Sequence, residues 1–249
     1  MANVRYFWDE YFMQEHLPPW QCPTCGRGNL ALDKESLRIG YSADVIAERD
    51  NPDWEPEWER GRFSCLLVCD QPKCGDIVSM IGETVTNEFR SDDDSEQFIA
   101  ESLVPKSMIP GAPLMNIPPA TPSAAQNAIK QSFSAFWGDR GSAANRLRIS
   151  VERILDSEGI PATTEKGAFI TLAARIDLFG EKSPEYKDTL TALRVVGNLG
   201  SHDGDVTREA LLDAYEVYED WLKNYVGKHG EKMKGLVKKL TDTKGKYTV

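Results

Sequence analysis

From Thr121 onward, apolar residues recur at the spacing of amphipathic helices. Pro122 stands where a first-turn proline is tolerated, and Ala124 to Trp137 follow it as a first helix. Ser142 to Ser157 places Leu147, Val151, Ile154 and Leu155 on one stripe, and Gly167 to Phe179 does the same with Ile170, Leu172, Ala173, Ile176 and Leu178. Ser183-Pro184 opens a helix through Leu190, Leu193 and Val196. Asp205 or Thr207 caps a last one, with Leu211, Leu212, Tyr215, Tyr218, Trp221, Leu222 and Tyr225 inside it. Five such helices with short connections predict an α-bundle. The first hundred residues have a shorter period. Arg62 to Cys69 reads as a buried strand, and Ile77, Val78, Met80, Ile81 and Val85 predict one or two more. The acidic stretch from Leu30 to Gly61 reads as a surface loop with Trp54 and Trp58 held against the domain.

The change of period predicts an α+β protein: a small zinc-ribbon-like β lobe followed by a helical bundle. Residues 1–104 are expected to be a cysteine-bearing lobe with short strands. Residues 105–121, holding Pro105, Pro110, Pro113, Pro118 and Pro119, are expected to be a linker. Residues 122–226 form the bundle, and residues 227–249 a lysine-rich tail read as a solvated terminus. No internal repeat is visible.

Composition is that of an ordinary globular chain, with 41% hydrophobic and 27% charged residues. Charge changes the picture more. Of a net −10, residues 1–100 contribute −11, while residues 227–249 hold seven lysines against Glu231 and Asp242, a local +5. An acidic chain is a poor generic binder of nucleic acid, and the acidity of the cysteine-bearing half argues against a DNA-binding zinc regulator. No apolar run is long enough to span a bilayer, and the first ten residues lack the basic start and apolar run of a signal peptide. The expectation is a cytoplasmic protein with no membrane partner.

In a reducing compartment, paired cysteines point to metal rather than to disulfides. Cys22-Pro23-Thr24-Cys25-Gly26 and Cys69-Asp70-Gln71-Pro72-Lys73-Cys74-Gly75 form two such pairs. Two thiolates presented from a tight turn can chelate one tetrahedral cation, and the glycine after each pair eases the backbone beneath the sulfurs. Four thiolates select zinc in a closed structural site, so Cys22, Cys25, Cys69 and Cys74 are the expected ligands. Cys65 lies on the predicted strand and reads as packing.

One polar stripe remains. Arg194, Asn198 and His202 follow one another at intervals of four among apolar residues and glycines. On a helix each step of four turns by about 40°, so they share a face. A cation, an amide and an imidazole can grip a phosphate and move a proton. They can equally tie a helix end to the loop at Asp203-Gly204-Asp205, with Arg194 paired to an acid such as Glu152. Glu152 also stands four residues from Arg148, a spacing that suits a helix-stabilising ion pair.

The run Ser142-Ala143-Ala144-Asn145-Arg146-Leu147-Arg148-Ile149-Ser150-Val151-Glu152-Arg153-Ile154-Leu155, together with Leu193-Arg194, Gly197-Asn198 and His202, resembles the two signatures of domain-of-unknown-function family 4145. The resemblance covers about residues 125–226 and implies a HEPN-like bundle that dimerises. It also implies a metal-independent endoribonuclease of prokaryotic antiviral defence or stress response. There Arg194 would hold the scissile phosphate, Asn198 would orient the substrate, and His202 would act as general acid or base. Seven residues separate Arg194 from His202, a longer interval than the superfamily's own motif. RNA and a partner protein of a defence or restriction system are the expected partners. The alternative is a non-catalytic dimerising adaptor whose zinc lobe recruits a protein or nucleic acid. No glycine-rich phosphate loop, Ser/His/Asp pattern or nuclease carboxylate cluster is present. Asp92-Asp93-Asp94 reads as a solvated run.

Overall fold

Along β3 (Arg62–Cys69), Phe63, Cys65, Leu67 and Cys69 are buried while the residues between them are exposed or half-buried. What reads in sequence as a continuous apolar run is therefore a strand with one face in the core and one toward solvent, as antiparallel sheets allow. The computed structural model describes residues 5–90, 97–200, 206–244 and 246. The fold is mixed α+β. An antiparallel sheet of five strands has the order β1-β5-β4-β3-β2, with β1 Phe12–Met13, β2 Leu30–Gly40, β4 Ile77–Arg90 and β5 Gln97–Ile109. Seven α-helices accompany it among the described residues: α1 (Ala43–Glu48), α2 (Ser123–Ala135), α3 (Arg140–Ser157), α4 (Leu172–Gly180), α5 (Lys187–Leu199), α6 (Arg208–Trp221) and α7 (His229–Thr243). Among the described residues, no helix is long and apolar enough to cross a membrane.

The chain divides into two compact units. One takes the described residues up to Pro113 together with Lys130–Ala143, and the other takes Leu114–Ile129 and the described residues from Ala144 onward. The sheet unit has longer strands than the sequence suggests. β4 has 14 residues and β5 has 13. β5 runs through Pro105 and so into the segment expected to be a linker. Pro105 is tolerated for two reasons. The register shifts there, with Ile81 opposite Ser107 but Gly82 opposite Pro105, which leaves Lys106 as an extra residue. Among the described residues, β1 pairs with the strand's other edge only at Ser102 and Leu103, so that edge has no ladder partner at Pro105 to need its N–H. Gly82 is required at this bulge, because a Cβ would stand 2.1 Å from the Val104 carbonyl oxygen.

The sheet unit's aromatic core joins distant parts of the sequence. Trp20 packs on Phe12 (5.2 Å between centroids) and on Trp137 (5.9 Å), and Trp8 packs on Phe136 (5.5 Å). Trp20 Nε1 donates to the Phe7 carbonyl at 2.7 Å. With that core filled by these rings, Trp58 is exposed and Trp54 half-buried. This corrects the expectation that both are held against the domain.

The helical unit follows the predicted stripes closely. Leu147, Val151, Ile154 and Leu155 are buried, and so are Leu211, Leu212, Tyr215, Tyr218, Trp221 and Leu222. Thr207 caps α6 by accepting from Ala210 N. α4 starts later than expected, at Leu172 after the Thr171 cap, and its buried face holds Arg175 rather than Leu178. The Arg175 guanidinium donates through one nitrogen to Asp156 Oδ1 at 2.7 Å and to the Ile160 carbonyl at 2.9 Å, so the buried cation meets a carboxylate. The lysine-rich segment expected as a tail carries α7.

Ser150 and Tyr218 tie α3 to α6 through hydroxyls 2.7 Å apart, both side chains being fully buried. Removing one hydroxyl costs about 1 kcal/mol when its partner keeps another bond, as Ser150 does to the Leu147 carbonyl. Tyr218→Phe is therefore expected to lower the midpoint of thermal unfolding by about 2–4 °C, read by calorimetry.

Candidate metal centre

The β2–β3 register builds this site. Leu30 stands opposite Cys69, which lays the segment before β2 against the turn after β3. Asn29 and Asp70 lock that meeting, with Asp70 N donating to the Asn29 carbonyl at 2.9 Å and Asn29 N donating to Asp70 Oδ1 at 2.8 Å. Each cysteine pair is then closed by its own turn. Cys22 N donates to the Gly28 carbonyl at 2.8 Å and Gly26 N to the Cys22 carbonyl at 3.0 Å. In the second pair, Cys74 N donates to the Gln71 carbonyl at 2.8 Å and Cys69 N to the Asp76 carbonyl at 2.9 Å. Gly26 and Gly75 have φ of +60° and +58°, the left-handed conformation that glycine adopts without strain. The Thr24 hydroxyl donates to Asp76 and links the two turns.

The four Sγ atoms of Cys22, Cys25, Cys69 and Cys74 all lie within 4.8 Å of one another. Cys22 Sγ is 3.8 Å from Cys74 Sγ, and Cys25 Sγ is 3.7 Å from Cys69 Sγ. A disulfide brings its sulfurs to about 2.05 Å, so these are four separate thiols. A tetrahedral ion with metal–sulfur bonds of about 2.3 Å has sulfurs about 3.8 Å apart, which is the spacing found across each of these pairs. The residues fit a metal held by four thiolates.

Local electrostatics favour such use unevenly. Hydrogen bonds from the Gly28 and Arg27 amides draw the Cys25 thiol down to about 6, and Gly28 N lies 3.4 Å from its sulfur. Burial pushes the Cys69 thiol up to about 12. Gly28 was not singled out from the sequence, although it is the third residue after Cys25. A Cβ at Gly28 would stand 2.5 Å from Cys69 Sγ and 2.7 Å from Asp70 Oδ1, so only glycine lets the two halves meet. Cys65 is outside the cluster. It is buried on β3 opposite Met80, and burial raises its thiol to about 11.

The polar stripe is brought together in part. Arg194 and Asn198 both lie on α5, one turn apart and half-buried. His202 lies outside the described residues, as do Asp203, Gly204 and Asp205 and the run Asp92-Asp93-Asp94. α5 continues through Gly197 to Leu199. A Cβ at Gly197 would stand 2.5 Å from Arg148 Cβ and 3.1 Å from the Ala144 carbonyl, so this glycine sets a close approach of α5 to α3. Glu152 is paired with Arg148 at 2.8 Å, the i,i+4 alternative of the two expected for it. Arg194 Nε is buried without a hydrogen-bond partner among the described residues.

Metal analysis of the purified protein is expected to find one ion per chain. Cys25→Ser or Cys69→Ser abolishes it and Cys65→Ser retains it. Gly28→Val lowers metal affinity by at least about tenfold, read by competition with a chelator, because its side chain enters the space of Cys69.

Comparison with known families matches residues 10–106 to a domain of unknown function, DUF8608, and residues 130–242 to a second, DUF4145. The first match contains all four cysteines, and the second contains both motifs on which the sequence resemblance rests. No curated protein and no solved structure matches the chain.

Proposed function

We propose that the protein is a HEPN-like endoribonuclease of prokaryotic antiviral defence or stress response, acting as a cytoplasmic homodimer and carrying a structural zinc ion. The observation that carries this reading is the meeting of the two motifs. The DUF4145 match spans both, and Gly197 sits between Arg194 and Asn198 at the point where α5 presses on Arg148 and Ala144. In this reading Arg194 holds the scissile phosphate and Asn198 orients the nucleotide. His202 takes the proton from the ribose 2′-hydroxyl or gives one to the leaving 5′-oxygen. Arg194 and Asn198 lie half-buried one turn apart on α5, which supports a shared polar face.

Zinc fits the four thiolates and plays no part in the cleavage, because four sulfurs leave no position for a reactive water. Bound there, it supplies cohesion to the turns at Cys22–Cys25 and Cys69–Cys74. RNA is the substrate, and a partner protein of a defence or restriction system accompanies it.

Labelled single-stranded RNA, incubated with the protein in EDTA, is expected to be cleaved. Arg194→Ala and His202→Ala each reduce the rate at least about a hundredfold with folding and zinc content unchanged. Cleavage that survives both substitutions, or none by the parent, refutes the catalytic reading and leaves the dimerising adaptor.

Zinc affinity is expected to rise with pH. Binding needs thiolates, and Cys69, held up at about 12, enters the neutral range as a thiol, so its proton must leave. Each proton released strengthens binding about tenfold per pH unit, measured by competition titration between about pH 6 and 8. A flat profile contradicts it.

A further inference from the structure

We infer that α7 binds anionic lipid surfaces, lying flat on them. The helix has no buried residue, and Met233, Leu236, Val237 and Leu240 are exposed by 40%, 49%, 63% and 49%. Spaced i, i+3, i+4 and i+7, they form one stripe about 100° wide at about 100° per residue. On the same helical wheel Lys232 and Lys239 flank the stripe on one side and Lys234 on the other, while Lys238 lies on the far face. Glu231 and Asp242 fall opposite it. A surface lying on the stripe thus meets the ammonium groups of Lys232, Lys239 and Lys234 and neither carboxylate.

This arrangement selects among occupants. A nucleic acid would satisfy the lysines and leave the apolar stripe in water. A second copy of α7 seated on the stripe would bring flanking lysines against flanking lysines with no carboxylate between them. A bilayer with acidic headgroups satisfies both features at once, because aliphatic side chains enter the acyl boundary while lysine stems reach the phosphates. The charge is local to this segment, +5 over residues 227–249 in a chain of net −10. At physiological ionic strength charges are screened over about 8 Å, so a cationic helix can meet an anionic surface despite the acidity of the rest. α7 is also set off from α6. A π-helical turn at Leu222–Val226 ends at Gly227, and Lys228 takes a left-handed φ of 52°. The expectation of no membrane partner came from the absence of a span, which does not bear on a helix that lies in the interface. The inference is independent of the catalytic reading.

The test is co-sedimentation of the full chain with phosphatidylcholine vesicles containing about one third phosphatidylserine, at low salt. Binding is expected to be at least about tenfold tighter than to phosphatidylcholine alone, and to weaken in high salt. The double variant L236D/L240D abolishes it, and K232Q/K239Q weakens it several-fold. Because α7 buries nothing, both variants keep the parent's thermal unfolding, which is checked alongside. No binding to the acidic vesicles, equal binding to neutral ones, or binding unchanged in L236D/L240D overturns the proposal. So does a parent that fails to bind vesicles but self-associates through these leucines.

Discussion

The pairing of Leu30 with Cys69 is the contact on which the sheet unit's chemistry depends. It brings together two thiol pairs that stand 44 residues apart from Cys25 to Cys69. Closing a loop of that length costs entropy that a handful of turn hydrogen bonds offsets only in part. A metal ion gripped by four thiolates would return that cost with its binding free energy, which for a site absent from the unfolded chain is folding free energy. The same register fixes Gly28 against Cys69, so the strand pairing and the metal site stand or fall together.

The helical unit solves a different problem. Its helices are held by apolar stripes, with polar links such as the buried Ser150–Tyr218 pair and the part-buried Arg175–Asp156 pair supplying specificity at the crossings. Gly197 lets α5 approach α3 closely, at the cost of helix propensity that the packing overrides. The half-buried Arg194 and Asn198 sit on either side of that close approach, which gives a polar face a rigid base.

Legibility in the sequence followed the physics of each signal. The cysteine spacing and its two glycines announced the four-cysteine cluster because turn geometry is local. The stripes of α3 and α6 were legible because a period of 3.6 is strong over fourteen or more residues. β5 was not legible, because Pro105 reads as a breaker and only the pairing partner reveals the bulge that accommodates it. Trp8, Phe12 and Trp20 gave no sign of their packing on Phe136 and Trp137, since that contact joins residues more than a hundred positions apart. Arg175 displaced Leu178 from the core because Asp156 and the Ile160 carbonyl satisfy it, a compensation that periodicity does not register. The Arg194–Asn198 pair was visible as a spacing, yet the close approach of the intervening Gly197 to Arg148 and Ala144 needed the structure.

Everything proposed for the cysteine cluster requires four thiolates closing one metal sphere. X-ray absorption at the zinc edge of the purified protein tests that directly. Four sulfur ligands at about 2.3 Å, with no nitrogen or oxygen in the first shell, are what the geometry of Cys22, Cys25, Cys69 and Cys74 predicts. A shell containing oxygen or nitrogen, or no zinc at all, would contradict it.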